Sequence, residues 1–158
     1  MKIVLAAVGR LKDGPERALA DRYMERASQA GRALALGPIT TVELPESRGS
    51  QSEQRKREEA DALSARLPSC YIALDERGQM LDSPAFAEAL RNFRDRGEAA
   101  LGLVIGGPDG LAVSLRDGAA LTISFGRLTW PHQIVRILAA EQLYRATTIL
   151  SGHPYHRV

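Results

Sequence analysis

Leu101-Gly102-Leu103-Val104-Ile105-Gly106-Gly107-Pro108-Asp109-Gly110 decides the fold. A short apolar run stops abruptly at two glycines, and a Pro-Asp-Gly turn follows. Such a run, apolar at successive positions rather than alternating, reads as a strand buried on both faces, as in a parallel sheet. Working outward, the same kind of run recurs at Lys2–Val8, Ile39–Leu44, Tyr71–Leu74 and Leu121–Phe125. Between the runs lie stretches of helical spacing. Asp13-Gly14-Pro15 opens a helix to about Ala30, with Asp13 as its cap and Pro15 in the first turn. Ser50-Gln51-Ser52-Glu53 has the form of a capping box and opens a charged helix that stops before Pro68. Ser83-Pro84 starts a third helix carrying Phe86, Leu90 and Phe93 on one side and ending near Gly97. A long last helix follows Pro131 and ends near Gly152, a residue suited to a left-handed stop. Strands alternating with helices imply an α/β fold, a mainly parallel sheet flanked by helices on both faces.

Size and composition narrow the class. The chain has 158 residues, 44% apolar and 25% charged, which suits one globular domain over 1–158 and leaves no room for a long disordered tract. No apolar run approaches the roughly 18 residues needed to cross a bilayer. The opening Met1–Val8 is followed at once by Gly9-Arg10-Leu11-Lys12, with no small-residue cleavage site, so it reads as a first strand rather than a signal peptide. Cys70, the single cysteine, can form no intrachain disulfide and favours a reducing, cytoplasmic setting; beside an apolar run it reads as a buried thiol. The net charge of +2 says little about partners. The basic residues do cluster, at Arg10 and Lys12, at Arg55-Lys56-Arg57, and at Arg136, Arg145 and Arg157. Local positive potential of this kind suits RNA, although a solvated helix face explains the middle cluster equally well. Pro45–Gln51 reads as a mobile polar loop.

In parallel α/β sheets ligands bind beyond the carboxyl ends of the strands. Three such ends carry unusual residues: Leu74-Asp75, Ile105–Gly110 and Phe125–Trp130. The glycines after the fourth strand do not make a dinucleotide fingerprint, which belongs after the first strand, and no Walker lysine follows them. A nucleoside held by backbone groups is one reading of this loop, and a tight turn with no ligand is the other. The ending His153-Pro154-Tyr155-His156-Arg157 gathers two imidazoles, a phenol and a guanidinium. Imidazole accepts a proton near neutrality, Tyr stacks on bases and Arg pairs with phosphate. The two histidines have no nearby carboxylate or thiolate, so a metal site is not expected. Glu141 and Arg145, four apart, read as an ion pair on a helix face.

Four motifs then combine: Leu103–Leu111, the segment Leu128-Thr129-Trp130-Pro131-His132-Gln133-Ile134-Val135-Arg136, Glu141-Gln142-Leu143-Tyr144-Arg145-Ala146, and the ending His153–Arg157. In these, and over essentially its whole length, the chain resembles the ribosomal large-subunit pseudouridine methyltransferase H family of the SPOUT class. The resemblance implies one α/β domain whose C-terminal part forms a trefoil knot. It implies S-adenosylmethionine as cofactor, lined by Leu74, Gly106, Phe125, Gly126, Arg127, Leu128, Thr129 and Trp130. The implied substrate is a pseudouridine of helix 69 in large-subunit rRNA, methylated at N3 on the ribosome. The implied assembly is a homodimer that brings one tail to the other subunit's cofactor pocket. There His156 would be the base, Tyr155 a stacking or hydrogen-bonding group and Arg157 a partner of phosphate or developing charge, with His132 in reserve. A ribosome-binding factor without catalysis, or a nucleotide-dependent oxidoreductase, would use the same surfaces differently.

Overall fold

The computed structural model describes residues 1–155. Five strands form one parallel sheet: β1 (Lys2–Val8), β2 (Ile39–Leu44), β3 (Tyr71–Met80), β4 (Ala100–Ile105) and β5 (Leu121–Ser124), in the spatial order β2-β1-β4-β3-β5. Helices connect them: α1 (Pro15–Gly31), α2 (Ser52–Ser64), α3 (Ser83–Asp95), α4 (Val113–Asp117) and the closing α5 (His132–Ser151). Because successive strand residues point to opposite faces, each strand feeds two cores. Ile3, Leu5, Ala7, Ile72, Leu101, Leu103 and Ile105 face Met24 and Ala27 of α1, Phe86 and Leu90 of α3, and Ala139 and Leu143 of α5. Ala6, Val8, Ala73 and Val104 face Ala60 and Leu63 of α2 and Leu115 of α4. Double coverage explains why the strands read as continuous apolar runs rather than as alternation.

Several local expectations change. Gly14, not Asp13, sits at the N-cap of α1, and no side chain caps it; Asp13 instead lies 3.6 Å from Arg17 one turn along. The capping box at Ser50 does not form either: the N-cap of α2 is Gln51, again without a side-chain bond. In α3 the cap is Asp82, whose carboxylate accepts from the Ala85 amide at 2.8 Å, so Ser83 and Pro84 are the first helical residues. β3 does not end at Asp75. It leaves register after Leu74 and pairs with β5 again at Gln79 and Met80. The reach back is possible because Gly78 lies flat on Ile123, where a Cβ would stand 2.5 Å from the Ile123 carbonyl carbon. The short helix α4 went unread, since five residues show no periodicity. The stop at Gly152 is as expected, left-handed with φ 68°.

Pro45–Gln51 is not a free loop. Glu59 accepts from the Ser47 amide at 2.9 Å, Arg55 donates to the Gly49 carbonyl at 3.0 Å, and Ser47 Oγ pairs with Glu58. Cys70 is half-buried against the α1/α3/α5 core, and burial pushes its thiol pKa up. No helix of the described residues is long and apolar enough to cross a membrane.

Leu143 is fully buried where α5 meets the sheet. Leu143→Ala is expected to cost about 2–5 kcal/mol, the range for a leucine deleted from a close-packed core. Urea unfolding measures it through a lower midpoint at unchanged slope.

Candidate functional site

Strands β3, β4 and β5 are neighbours and parallel, so their carboxyl ends open on the same edge of the sheet. A cleft of about 410 Å³ lies there. Its size is that of a small-molecule site. Leu74, Ile105, Ile123 and Val135 give it an apolar floor. Its walls are three loops: Asp75–Arg77 after the break in β3, Gly106–Leu111 after β4, and Phe125–Trp130 after β5.

The second wall depends on glycine. A Cβ on Gly106 would stand 2.6 Å from the carbonyl carbon of Gly110 and 2.8 Å from the Leu111 amide nitrogen. Two backbone segments therefore cross where no side chain fits. The loop closes as a tight turn, the Gly110 amide donating to the Gly107 carbonyl at 2.9 Å, with Gly110 at φ 83°. Asp109 at the tip is gripped by Arg55 of α2, Nε to Oδ2 at 2.6 Å and Nη2 to Oδ1 at 2.9 Å. That grip holds the Asp109 carboxyl below the usual range. In the third wall Gly126 has φ 114° and nothing within 4 Å of where a Cβ would stand. Ser124 Oγ donates to the Gly126 carbonyl at 2.9 Å and steadies the turn.

Of the positions expected at the cofactor, Leu74, Gly106, Phe125, Gly126, Leu128, Thr129 and Trp130 all line this one cleft. Arg127 does not: its residue is exposed and lies outside the lining. Leu128 is 71% and Trp130 41% exposed, large apolar surfaces at the rim. Asp75, read in the sequence as part of a ligand-binding strand end, lines it too. Lys56, Arg77, Val113 and Arg116 also line it and were not singled out in the sequence as cofactor contacts; the break in β3 and the presence of α4 bring the last three there.

His132, the first residue of α5, lines the cleft. Its Nε2 lies over Gly9 and 3.7 Å from Glu46 Oε1. One turn on, Arg136 leaves the expected basic surface altogether. It is 2% exposed, pairs with Glu43 of β2, and donates to the Gly9 carbonyl at 2.5 Å. The Glu43 carboxylate also accepts from Arg17 at 3.0 Å and from the Leu11 amide at 3.1 Å. This cluster ties the start of α5, and so His132, to the ends of β1 and β2.

His156 and Arg157 lie outside the described residues. Tyr155 lies inside them but away from the cleft lining of its own chain. Its hydroxyl donates to Glu141 Oε1 at 3.1 Å, its ring packs on Tyr144 with centroids 4.6 Å apart, and the Arg145 guanidinium stands 5.0 Å over it. Burial, Tyr23 and Glu141 push its pKa up to about 12. Glu141 and Arg145 form the expected pair at 2.6 Å. Among the described residues no three His, Cys, Asp or Glu side chains are grouped to hold a metal ion.

A family model described as "Predicted SPOUT methyltransferase" matches residues 1–156. The chain belongs to the SPOUT methyltransferase family. Within it, the chain is 58% identical to the ribosomal RNA large subunit methyltransferase H of Rhizobium rhizogenes, over 100% of both chains. It is 55% identical to the protein of the same name from Bradyrhizobium diazoefficiens, over 99% of each. In this chain the Gly106–Leu111 and Phe125–Trp130 loops meet at the cleft.

Glu43 carries a pH prediction. Burial alone would raise its carboxyl pKa, but the Leu11 amide, Arg17 and Arg136 together outweigh it and hold the group below its ordinary value. A group with a depressed folded pKa contributes stability above its unfolded pKa and loses it as pH falls through the folded one. Glu43→Gln is therefore expected to be less stable than wild type at about pH 7. The gap should close as pH drops below the ordinary carboxylate range, as followed by denaturant midpoints.

Proposed function

We propose that this protein is an S-adenosylmethionine-dependent methyltransferase of large-subunit ribosomal RNA, acting at N3 of a pseudouridine in helix 69. The observation that carries the reading is the convergence of Leu74, Gly106, Gly126 and Leu128–Trp130 on one cleft, in a chain of this family. The residues present suit the cofactor. Gly126 leaves open space where a Cβ would stand, so a flat adenine can approach that wall closely, and Gly106 lets the loop after β4 fold onto Gly110 so that the facing wall is main chain. The apolar floor suits the adenosyl group.

Bound there, S-adenosylmethionine supplies an electrophilic methyl group. The chain's own residues have two tasks. The first is placement: the three loops and His132 fix the position of whatever enters the cleft, and holding reactants in line is itself a large part of a transfer rate. The second is removal of the proton on N3, which makes that nitrogen a poor nucleophile. His156 takes that proton, Arg157 pairs with a phosphate or with the charge left on the base, and Tyr155 stacks or hydrogen-bonds beside them. A homodimer supplies these three residues from the partner's tail. That placement agrees with Tyr155 lying on α5 of its own chain, outside its own cleft. The C-terminal trefoil knot belongs to the same reading.

Calorimetric titration is expected to show one S-adenosylmethionine per chain and no NAD. Gly106→Val, which forces Gly110 away, should weaken binding at least about tenfold, the effect of roughly 1.4 kcal/mol. Mass spectrometry of rRNA from a deletion strain should show one methyl group missing from helix 69, restored by the wild-type gene but not by His156→Ala. Absence of cofactor binding would return the chain to a ribosome-binding factor, and wild-type single-turnover methylation by His156→Ala would free that residue of its role.

A further inference from the structure

Two side chains on one face of α2, four residues apart, each touch the same two loops. Arg55 grips Asp109 with Nε and Nη2 at 2.6 and 2.9 Å, and with Nη1 donates to the Gly49 carbonyl at 3.0 Å. Glu59, one turn further on, is 6% exposed. Its Oε1 accepts from the Ser47 amide at 2.9 Å. Its Oε2 is buried with no hydrogen-bond partner among the described residues and lies against Gly107, where a Cβ would stand 3.0 Å away. A buried carboxylate oxygen left bare is uncommon and asks for a reason. Here it is the wedge on which the glycine loop rests. Each brace therefore joins the loop that walls the cofactor cleft to the segment 46–49.

The braces are stiff for different reasons. The guanidinium fork meets both oxygens of Asp109, and two such bonds fix orientation as well as distance. Glu59 is stiff because it is enclosed: burial, with Asp109 and Glu46 nearby, raises its pKa, and only the Ser47 amide and Arg55 offset this. Arg48 in the segment and Arg57 on α2 are both exposed. An exposed guanidinium on each of these elements is free to meet a phosphate.

We propose that Arg55 and Glu59 are positioning residues that lock the Gly106–Gly110 loop to the segment 46–49, so that filling the cofactor cleft orders a surface that receives RNA. The inference rests on the functional reading above and extends it to a segment that does not line the cleft. Filling the cleft stills Gly107 and Asp109. Through Glu59 and Arg55 it then stills Ser47 and Gly49, and Arg48 between them. Because coupling between two sites is reciprocal, RNA held at Arg48 and Arg57 strengthens cofactor binding by the same factor.

Amide hydrogen exchange on the wild-type chain, with and without S-adenosylmethionine, reads the coupling directly. Protection is expected at Gly106–Gly110 and, by about fivefold or more, the lower range of measured couplings, at Ser47 and Gly49. Arg55→Ala and Glu59→Ala should keep protection of the glycine loop and lose it at Ser47 and Gly49. Glu59→Gln retains the shape and the acceptor and should preserve it. Arg55→Lys, which cannot hold both oxygens of Asp109 and Gly49 together, should fall between. Titration of a helix 69 hairpin RNA should bind more tightly with cofactor in the wild type, and without that gain in Arg55→Ala. Arg57→Ala should weaken RNA binding while leaving the transmission to Ser47 intact. If a variant fails to fold, the wild-type exchange alone decides. Cofactor binding that protects only the glycine loop, or transmission that survives Arg55→Ala, overturns the proposal. No cofactor binding at all would bring down the functional reading, and this inference with it.

Discussion

Gly106 turns the chain out of β4 through a space with no room for a methyl group, its missing Cβ falling 2.6 Å from the backbone of Gly110. Backbone packed on backbone at that distance brings the loop back over the strand it has just left. One wall of the cleft is thereby made of main chain rather than of side chains. Main-chain walls offer donors and acceptors without the rotamer freedom that side chains must give up on binding. The turn at Gly110 and the hold of Arg55 on Asp109 serve the same end from the other side. A larger residue at Gly106 would open this crossing and leave β4 intact, so the constraint concerns the site more than the sheet.

The sheet order brings the other walls to meet that loop. β4 lies between β1 and β3, and β5 lies outside β3, so the loops after β3, β4 and β5 leave adjacent strands at one edge. α5 then starts beside the cleft and runs back across the sheet, packed on α1 and α3. Its first residues belong to the site and its later ones to the core. The pair of buried Arg136 and half-buried Glu43 ties the start of α5 to β2. A buried ion pair adds little net stability compared with apolar packing, but removing one partner costs a great deal. Its value here is register: it allows α5 one position relative to the ends of β1 and β2, and so allows His132 one position at the cleft. The tail is held in the same manner at the other end of α5, where Tyr155 is pinned between Glu141, Tyr144 and Arg145.

Several of the basic residues that cluster in the sequence are neutralised within the molecule. Arg17, Arg55, Arg136 and Arg145 all stand in ion pairs, and Arg136 is enclosed. A sequence reading that sums basic residues into an RNA-binding surface overcounts for this reason. The carboxylates that neutralise them, Glu43, Asp109 and Glu141, come from distant stretches of chain in two of the three cases. Arg48 and Arg57 remain exposed.

Much was legible in the residues alone. Strand positions, the α/β class, the glycine stop after β4, the left-handed end at Gly152 and the pairing of Glu141 with Arg145 all follow from local preference and periodicity, which act over a few residues. The motifs carried the family, and with it most of the cleft lining. Folding in three dimensions decided the rest. The return of β3 to β5 past Leu74 depends on Gly78 meeting Ile123, the burial of Arg136 on a strand 93 positions away, and the pinning of segment 46–49 on α2. Each of these is a contact between parts of the chain that no window of local sequence contains together. Side-chain chemistry shows that a group can pair, but only the sheet order says with what.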